Sequence, residues 1–418
     1  MSEANTSYEG LPEQMRVRRG KLDRLRESGV DPYMARSPRT TAIAEVREKY
    51  GHLGTDEHTG KQVGLAGRVM LYRTGGKLCF ATIADASGDI QIMLALDRLG
   101  DDSLAAWKTD IDLGDHIGVE GEVITSRRGE LSIMVENWTL TAKCLRPLPE
   151  KHHGLTDPEA RVRQRYVDLI INPETRRMAV QRPEAIRALR SGLHEQGFVE
   201  VETPMLQQVH GGATARPFKT HINAYDLDLY LRIAPELFLK RLVVGGLEKV
   251  FEINRNFRNE GADSTHNPEF TMLEFYQAYA DYTSMATLTR ELIQQVACAV
   301  LGDTVVTRGD TKIDLSGEWP SVRLHDAVSQ ALGEEITPRT STESLIRLAE
   351  AHNVSHDPQW GPGKLVENLF EELVEPTLIQ PTFVQDFPVE TSPLTRQHKD
   401  DPLLTPQCRH HRRTAASG

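Results

Sequence analysis

The sequence is poor in cysteine. Its 418 residues include only four, Cys79, Cys144, Cys298 and Cys408, which lie far apart and form no CxxC pair. A secreted domain held together by disulfide bonds and a zinc ribbon both need more closely spaced cysteines. The pattern therefore predicts a protein of the reducing cytoplasm and gives no sign of a zinc site.

The sequence also lacks long apolar runs and an excess of positive charge. No apolar stretch approaches the ~20 residues that a membrane-spanning helix needs, and the start of the chain, MSEANTSYEG, is not a secretory signal. With 60 acidic and 49 basic residues, the formal net charge is −11, so no overall field attracts nucleic acid. We expect a soluble cytoplasmic protein with no membrane partner, in which any RNA contact uses a local basic patch.

A polar face runs along the stretch Val250–Tyr276. Its alternation predicts two antiparallel strands joined by a long loop, with one apolar side against a core. The other side carries acids, amides, a cation, a thioether and aromatic rings: Glu252, Asn254, Asn256, Arg258, Phe270, Met272, Glu274 and Tyr276. Such a face either meets solvent or forms the floor of a pocket for a charged, flat ligand. We favour the pocket, because a solvated face would carry Lys, Thr and Ser instead.

The residues ahead of this stretch fall into two segments that differ in their predicted secondary structure. Residues 1–60 are predicted to form a polar helical extension, in which Met15–Ser28 is strongly basic. This basic segment is either a solvated helix face or a strip that neutralises phosphates. Residues 61–148 contain short β-runs separated by glycine turns, with one helical insertion, and predict a five-stranded barrel of the OB type.

Four residues of the barrel are candidates for binding nucleic acid. OB barrels bind single strands by stacking bases on exposed aromatic rings. Phe80 is the candidate platform, although its position suits the core equally well. Arg68, Gln91 and Glu130 are candidates for contacting the edges of the bases.

Several segments, taken in order, carry a family resemblance. They are VETP, GGATARPF, YLRIAPELFLKRL, VFEINRNFRNEG and HNPEFTMLEFYQAYADY. Together they resemble the motifs of class II aminoacyl-tRNA synthetases, in the barrel-containing subclass and especially its lysine-specific members. The resemblance implies an α+β fold, in which the N-terminal OB-fold β-barrel is followed at 149–405 by a class II synthetase antiparallel sheet domain flanked by helices. The predicted helix and strand that end at Glu200-Val201-Glu202-Thr203-Pro204 resemble motif 1 of that class, which implies a homodimer.

The resemblance implies a reaction and an ATP site. Lysine and ATP would form lysyl-adenylate, with Mg²⁺ expected as in the family, and the lysyl group would then pass to tRNA(Lys). Arg258 would be the catalytic residue, because it would hold the α-phosphate and the lysine carboxylate. In the ATP site, Glu260 would contact adenine, Phe270 would stack on it, and His266 would reach the outer phosphates. Arg258 could instead form a salt bridge with Glu260 or Glu274.

The resemblance also implies a lysine site. Gly212, Glu236 and Glu274 would surround the α-ammonium group, and Tyr276 would reach towards the ε-ammonium group. Two acids and a phenol suit a ligand with two cations, because a ligand without them would leave the buried carboxylates unpaired. Glu236 could instead pair with a neighbouring residue.

In the barrel, the resemblance places Phe80, Gln91 and Glu130 at the anticodon, with Arg68 beside them.

Three alternative functions remain open. One alternative is an RNA-binding protein that keeps the barrel but has lost the catalytic activity. Another is a ligase for aspartate or asparagine, which would need a cation where this sequence has Glu274. A third is an adenylate-forming enzyme with another acceptor, although the barrel argues against its shortened relatives.

The resemblance is expected to stop at Thr405. Residues 406–418, PQCRHHRRTAASG, show no likeness to the family and are predicted to form an unrelated, disordered tail. Family members continue with Mg²⁺-binding acids and the arginine of motif 3. The catalytic domain is therefore expected to be missing its C-terminal part, and the chain to be weakly active or inactive. Cys408, His410 and His411 could bind a metal, but we predict no metal-binding residue.

Overall fold

The computed structural model describes Tyr8 and residues 10–149, 154–263, 266–392 and 395–411. The chain divides into two compact units between Arg176 and Arg177. None of the described helices is both long and apolar enough to cross a lipid bilayer.

The first unit is built around a sheet. Its helices are α1 (Glu13–Glu27), α2 (Ile43–Tyr50), α3 (Leu96–Asp110), α4 (Pro158–Arg163) and α5 (Arg165–Ile171). Its strands are β1 (His58–Arg73), β2 (Leu78–Ala84), β3 (Asp89–Ala95), β4 (His116–Thr125) and β5 (Leu131–Ala142).

The five strands close into a barrel in the order β1–β2–β3–β5–β4. Strands β3 and β5 pair in parallel, and the other neighbours pair antiparallel. Along β2, Cys79, Ala81 and Ile83 are buried while the residues between them are half-buried, because successive side chains of a strand point to opposite faces. Apolar side chains and Trp107 from α3 fill the interior. The predicted OB-type barrel is confirmed.

The second unit combines short sheets with helices. The helices are α6 (Pro173–Glu195, which begins just before the division), α7 (Glu236–Val244), α8 (Tyr282–Leu301), α9 (Leu324–Leu332), α10 (Thr342–Ala351) and α11 (Pro362–Leu369). The strands are β6 (Val199–Glu200), β7 (Leu206–Gln207), β8 (Lys219–Ile222), β9 (Leu227–Leu231), β10 (Lys249–Phe257), β11 (Glu269–Gln277), β12 (Val305–Arg308), β13 (Thr311–Asp314), β14 (Ser321–Arg323), β15 (Thr382–Pro388) and β16 (Leu404–His411).

Strand β10 organises the part of this unit that carries the motifs. It pairs antiparallel with β11 and parallel with β6. Phe251 of β10 is fully buried and packs in an apolar cluster with Leu193 of α6 and with Leu288 and Leu292 of α8. These two helices cover one face of the β10–β11 ribbon, so the opposite face is left for polar groups.

Strand β16 corrects one expectation. Residues 406–411, which we predicted to begin a disordered tail, continue this strand and pair antiparallel with β15. The open edge of β15 supplies backbone partners, and the side chains find contacts on both faces. Cys408 packs against an apolar cluster that includes Trp319, and the Arg409 guanidinium lies 4.1 Å from the ring centroid of Phe387. Residues 412–418 lie outside the described residues.

Candidate functional site

The polar face of the β10–β11 ribbon is assembled as the alternation predicts. Glu252 lies directly opposite Glu274, and Asn256 lies opposite Phe270. The alternating apolar residues of both strands belong to the core on the other side. We refer to this polar face, which runs from Glu252 of β10 to Arg258 just beyond it and from Phe270 to Tyr276 on β11, as the ribbon floor.

Arg258 extends the ribbon by one residue beyond β10. Its backbone N–H donates to the carbonyl oxygen of Pro268 at 2.9 Å, and its guanidinium carbon lies 5.1 Å from the ring centroid of Phe270. Within the described part of the chain, no carboxylate of Glu260 or Glu274 lies within ion-pair distance of Arg258. The structure thus does not support the alternative of a salt bridge, and a cation and an aromatic ring are held together at this end of the floor.

Three buried polar atoms on or against the ribbon floor lack a hydrogen-bond partner among the described residues. They are Nε of Arg258, Oδ1 of Asn256 and Nη2 of Arg232. Buried polar atoms in proteins are nearly always paired with protein or water. These atoms therefore mark places where water or a ligand would bind.

The loop around Glu260 is hydrogen-bonded to the glycine-rich turn, which is the segment GGATARPF at residues 211–218. Glu260 accepts a hydrogen bond from the backbone N–H of Arg216 at 3.3 Å, and the N–H of Asn259 donates to the Arg216 carbonyl at 2.8 Å. His266 is exposed, and its Nδ1 lies 2.9 Å from a carboxylate oxygen of Asp263. The structure thus joins Glu260 to the turn, whereas His266 stays in the loop with Asp263.

Glu274 and Tyr276 form the other end of the floor. The hydroxyl of Tyr276 donates to the Glu274 carboxylate at 3.1 Å. Burial raises the pKa of Glu274 above its ordinary value, against the hydrogen bond from Tyr276, and the nearby charge of Glu236 adds to the rise. Burial, followed by the charges of Glu274 and Glu236, also raises the pKa of Tyr276, so its phenol stays protonated at neutral pH. A phenol donor and a carboxylate acceptor therefore face the same space.

Gly212 packs directly against Glu236. A Cβ atom at Gly212 would lie 2.8 Å from Cβ of Glu236, and the φ angle of Gly212 is +86°, which side-chain-bearing residues rarely adopt. The carboxylate of Glu236 accepts from Lys240 at 2.6 Å, so the local pairing considered as an alternative is present. Lys240 also lies 5.9 Å from the ring centroid of Tyr276. The structure brings together all four predicted lysine-site residues, with one additional cation among them.

A buried network beside the floor, at the edge of β10, was missed by sequence reasoning. Arg232, which is fully buried, donates through Nη1 to Glu252 at 2.6 Å and through Nε to the carbonyl of Arg255 at 2.9 Å. Thr203 donates to the other carboxylate oxygen of Glu252 at 2.7 Å. The available signal was an arginine inside the apolar segment YLRIA, because a buried guanidinium requires a partner.

The barrel presents part of its predicted anticodon set on one face. Phe80 and Gln91 are half-buried residues of β2 and β3, outside the apolar core, and Gln91 donates to Ser132 at 2.9 Å. Glu130 lies just before β5 and is exposed. Arg68 instead donates to the carbonyl of Gly114 at 2.8 Å, and burial lowers its pKa. Arg68, Gln91 and Glu130 thus each have a local partner, which for Glu130 is Arg47 at 4.0 Å, whereas Phe80 lies on the barrel surface without a ring partner among the described residues.

A cavity of about 610 Å³ in the second unit shares no residue with the ribbon floor. Its lining includes residues of α9, Asp386 of β15 and Asp401 of the loop before β16. These two carboxylates are neutralised, since Asp386 pairs with Arg323 at 3.1 Å and Asp401 with Arg339 at 2.8 Å. Cavity size alone therefore does not locate the chemistry of this chain.

The described residues do not form a dedicated metal site. Mg²⁺ prefers several carboxylate and water oxygens. No group of three or more His, Cys, Asp or Glu side chains in the described part of the chain is placed to hold a metal ion. Mg²⁺ carried on the phosphates of a nucleotide would need no such group, and we assign no step to a protein-bound ion.

Comparison with known proteins adds a family to this geometry. Residues 157–415 match the family described as tRNA synthetases class II (D, K and N), and residues 63–141 match the OB-fold nucleic acid binding domain. The first match continues past Thr405, so the expectation that the resemblance ends there was wrong.

Similar proteins cover almost the whole chain. A lysine–tRNA ligase of Mycolicibacterium gilvum is 56% identical over 94% of this chain and 79% of its own length. A lysine–tRNA ligase of Mycobacterium tuberculosis is 53% identical over 97% of this chain and 81% of its own length. The lysylphosphatidylglycerol biosynthesis bifunctional protein LysX of Gordonia bronchialis is 51% identical over 94% of this chain but only 34% of its own length. The chain therefore belongs to the class II tRNA synthetases and, within them, to the lysine–tRNA ligase family.

Proposed function

We propose that the ribbon floor is the site at which lysine and ATP form lysyl-adenylate, before the lysyl group passes to tRNA(Lys). One observation carries this proposal: the floor separates its charges, with an incompletely bonded Arg258 at one end and Glu274 at the other. An anionic nucleotide joined to a cationic amino acid has the complementary pattern. In the reaction, a carboxylate oxygen of lysine attacks the α-phosphorus of ATP, and the bond to pyrophosphate breaks.

Arg258 would act on the phosphate side of this reaction. Negative charge grows on the α-phosphate as the attack proceeds, and a fixed guanidinium stabilises that charge more in the transition state than in the ground state. At ~4 Å and an effective dielectric constant near 20, the attraction is worth ~4 kcal/mol. Adenine would stack on Phe270, which already lies against Arg258. Glu260 would contact adenine, and His266 would reach the outer phosphates from the loop.

The lysine side chain and α-amino group would bind at the other end. Glu274 and Glu236 would receive the α-ammonium group beside Gly212, and Tyr276 would reach towards the ε-ammonium group. Gly212 has no Cβ atom, and a Cβ atom at this position would overlap with the side chain of Glu236. Since Glu236 already holds Lys240, binding of lysine would replace one ammonium group with another.

The second step would use tRNA(Lys) as acceptor, with the barrel binding its anticodon. Phe80 would stack on a base, Gln91 and Glu130 would contact base edges, and Arg68 would lie beside them. By analogy with motif 1 of the family, the segment around Thr203 would contribute to a homodimer. Translation would take place in the cytoplasm, with Mg²⁺ supplied on ATP.

Lysine-dependent exchange of pyrophosphate into ATP tests the first step directly. We expect exchange with lysine and none with aspartate or asparagine, because the side chains of those substrates offer an anion or an amide where the floor would receive a second ammonium group. Gly212→Ala should lower exchange by at least tenfold, since it combines steric overlap with a strained φ angle. Gly261→Ala is the matched control, because a Cβ atom there meets nothing within 4 Å.

Each outcome of the exchange experiment has a definite meaning. Exchange that depends on aspartate or asparagine would contradict the lysine assignment. Tight tRNA binding with no exchange for any amino acid would favour the RNA-binding alternative. Equal exchange by Gly212→Ala and Gly261→Ala would remove Gly212 from the lysine site.

A further inference from the structure

The two glutamates in the centre of the ribbon floor differ in their partners. Glu252 and Glu274 face each other across the ladder, a position in which Cβ atoms are ~4.5–5.5 Å apart and like charges repel. Glu252 is buried and accepts hydrogen bonds from Arg232, Thr203 and Asn254. Among the described residues, Glu274 accepts from Tyr276 alone. The pair of carboxylates is therefore divided into one that is fully engaged and one that remains available.

Arg232 produces this division. Its Nη1 contacts Glu252 at 2.6 Å, and its charge also opposes the rise in the pKa of Glu274 that burial causes. A buried Arg–Glu pair is by itself weak evidence for stability, because apolar replacements are often as stable. Arg232 also keeps one buried nitrogen, Nη2, without a partner in the described part of the chain. The pair is better explained by its effect on the floor than by its contribution to stability.

Resting on the function proposed above, we propose that Arg232 is a positioning residue of the lysine site. It neutralises Glu252 and thereby leaves Glu274 as the floor carboxylate that receives a substrate ammonium group. Without Arg232, two directly opposed carboxylates would repel and would more readily hold one proton between them, so the ammonium group would meet a partly neutral floor. Charged or titratable groups face Glu274 from every element packed around it: Glu252 and Arg258 of β10, Tyr276 of β11, Arg232 after β9, and Glu236 and Lys240 of α7.

Lysine binding measured by calorimetry between pH 5.5 and 8.5 tests the proposal with three variants. Arg232→Gln should weaken lysine binding at pH 7 by about tenfold to a hundredfold, since one unit of pKa corresponds to tenfold. Its affinity should recover as the pH rises and the shared proton leaves. The double variant R232Q/E252Q removes both charges. Its lysine affinity should return to within about threefold of that of the unmodified protein, and the midpoint of its pH dependence to within about half a pH unit. Arg255→Gln is the control, because Arg255 is exposed and its one ion pair among the described residues is with Glu269 at 3.5 Å.

The outcomes separate this inference from the proposed function. If the unmodified protein does not bind lysine, the proposed function fails. If it binds lysine, but Arg232→Gln keeps the original affinity and pH midpoint, the inference alone fails. A double variant that binds as poorly as Arg232→Gln, with an unchanged thermal unfolding midpoint, would also overturn it. ATP binding, measured in parallel, should be unchanged in all variants and reports on the fold of the ribbon.

Discussion

Lys143 of the barrel unit uses its donors differently from Arg232 and Arg258 of the second unit. In the barrel unit, Lys143 is fully buried, and its ammonium group donates to the carbonyl of Asp110 at 2.5 Å, to Asp112 at 2.6 Å and to Asp115 at 2.7 Å. All three of its donors are therefore used. In the second unit, Arg232 and Arg258 each keep a buried nitrogen with no partner among the described residues.

This difference separates structural charge from charge that is available to a ligand. A buried cation whose donors are all satisfied has nothing left to offer, and its removal leaves unpaired carboxylates. A cation with an unused donor is costly to the fold but is ready to bind an anion. We expect mutations at Lys143 to affect stability and mutations at Arg258 to affect chemistry.

The largest expected effect is on the stability of the barrel. Lys143→Met should lower the free energy of unfolding by ~3–5 kcal/mol, because Asp115 would be left as a buried, uncompensated charge, while Asp112 would keep only its ion pair with Lys21. Urea denaturation measures this loss, with Lys61→Met, at an exposed lysine of β1, as the control. Equal stability of the two variants would mean that the network is not a structural charge cluster.

The next effect concerns catalysis. Arg258→Ala should lower lysine-dependent pyrophosphate exchange by ~10²–10³-fold, the usual cost of losing one preorganised charge contact in a transition state. Its unfolding free energy should change little, because Nε has no partner to lose. Arg255→Ala, on the opposite side of the same strand, should retain normal exchange. If Arg258→Ala lowered the free energy of unfolding but kept the original exchange rate, Arg258 would be a structural cation like Lys143.

The barrel should also bind a ligand, but through its outer face. Phe80→Ala should weaken binding of a tRNA(Lys) anticodon stem-loop by ~1–3 kcal/mol, the typical value of one base stacked on an aromatic ring. Tyr72→Ala removes an exposed ring of β1 outside the predicted set and is the control. Identical binding by both variants, in a filter or fluorescence assay, would place the RNA contact elsewhere.

The smallest effect is the pH dependence of lysine binding. Because the pKa of Glu274 is raised, this carboxylate takes up a proton at higher pH than an ordinary glutamate. Lysine affinity should therefore fall as pH falls through that raised pKa, by up to about tenfold per pH unit, because protonated Glu274 cannot pair with an ammonium group. Glu274→Gln should abolish this dependence, whereas Glu269→Gln, on the same strand, should preserve it. A profile that Glu274→Gln leaves unchanged would assign the dependence to another group.

Features with a short sequence period were predictable. The alternation from Glu252 to Tyr276 correctly gave the two faces of the ribbon, since strand side chains alternate with a period of two. The barrel was predictable for the same reason. The convergence of Gly212, Glu236 and Glu274 was expected from the family motifs and not from the residues alone.

Features that depend on distant partners were not predictable. The role of Arg232 requires the end of β9 to lie along the edge of β10, and nothing local in YLRIA specifies Glu252 as its partner. Residues 406–411 are polar enough to suggest a tail, but the free edge of β15 recruits them as a strand. In both cases the deciding contacts join segments that are separated by at least 18 residues.

Calorimetric titration with lysyl-sulfamoyl-adenosine, a stable mimic of lysyl-adenylate, tests the central claim most directly. It presents an adenine, an anionic linker and two ammonium groups to the ribbon floor at once. We predict saturable binding at one site per chain, weakened at least tenfold by Arg258→Ala and by Glu274→Gln but unaffected by Arg255→Ala. Absence of binding by the unmodified protein, or equal binding by all three variants, would contradict the assignment of the floor to the adenylate.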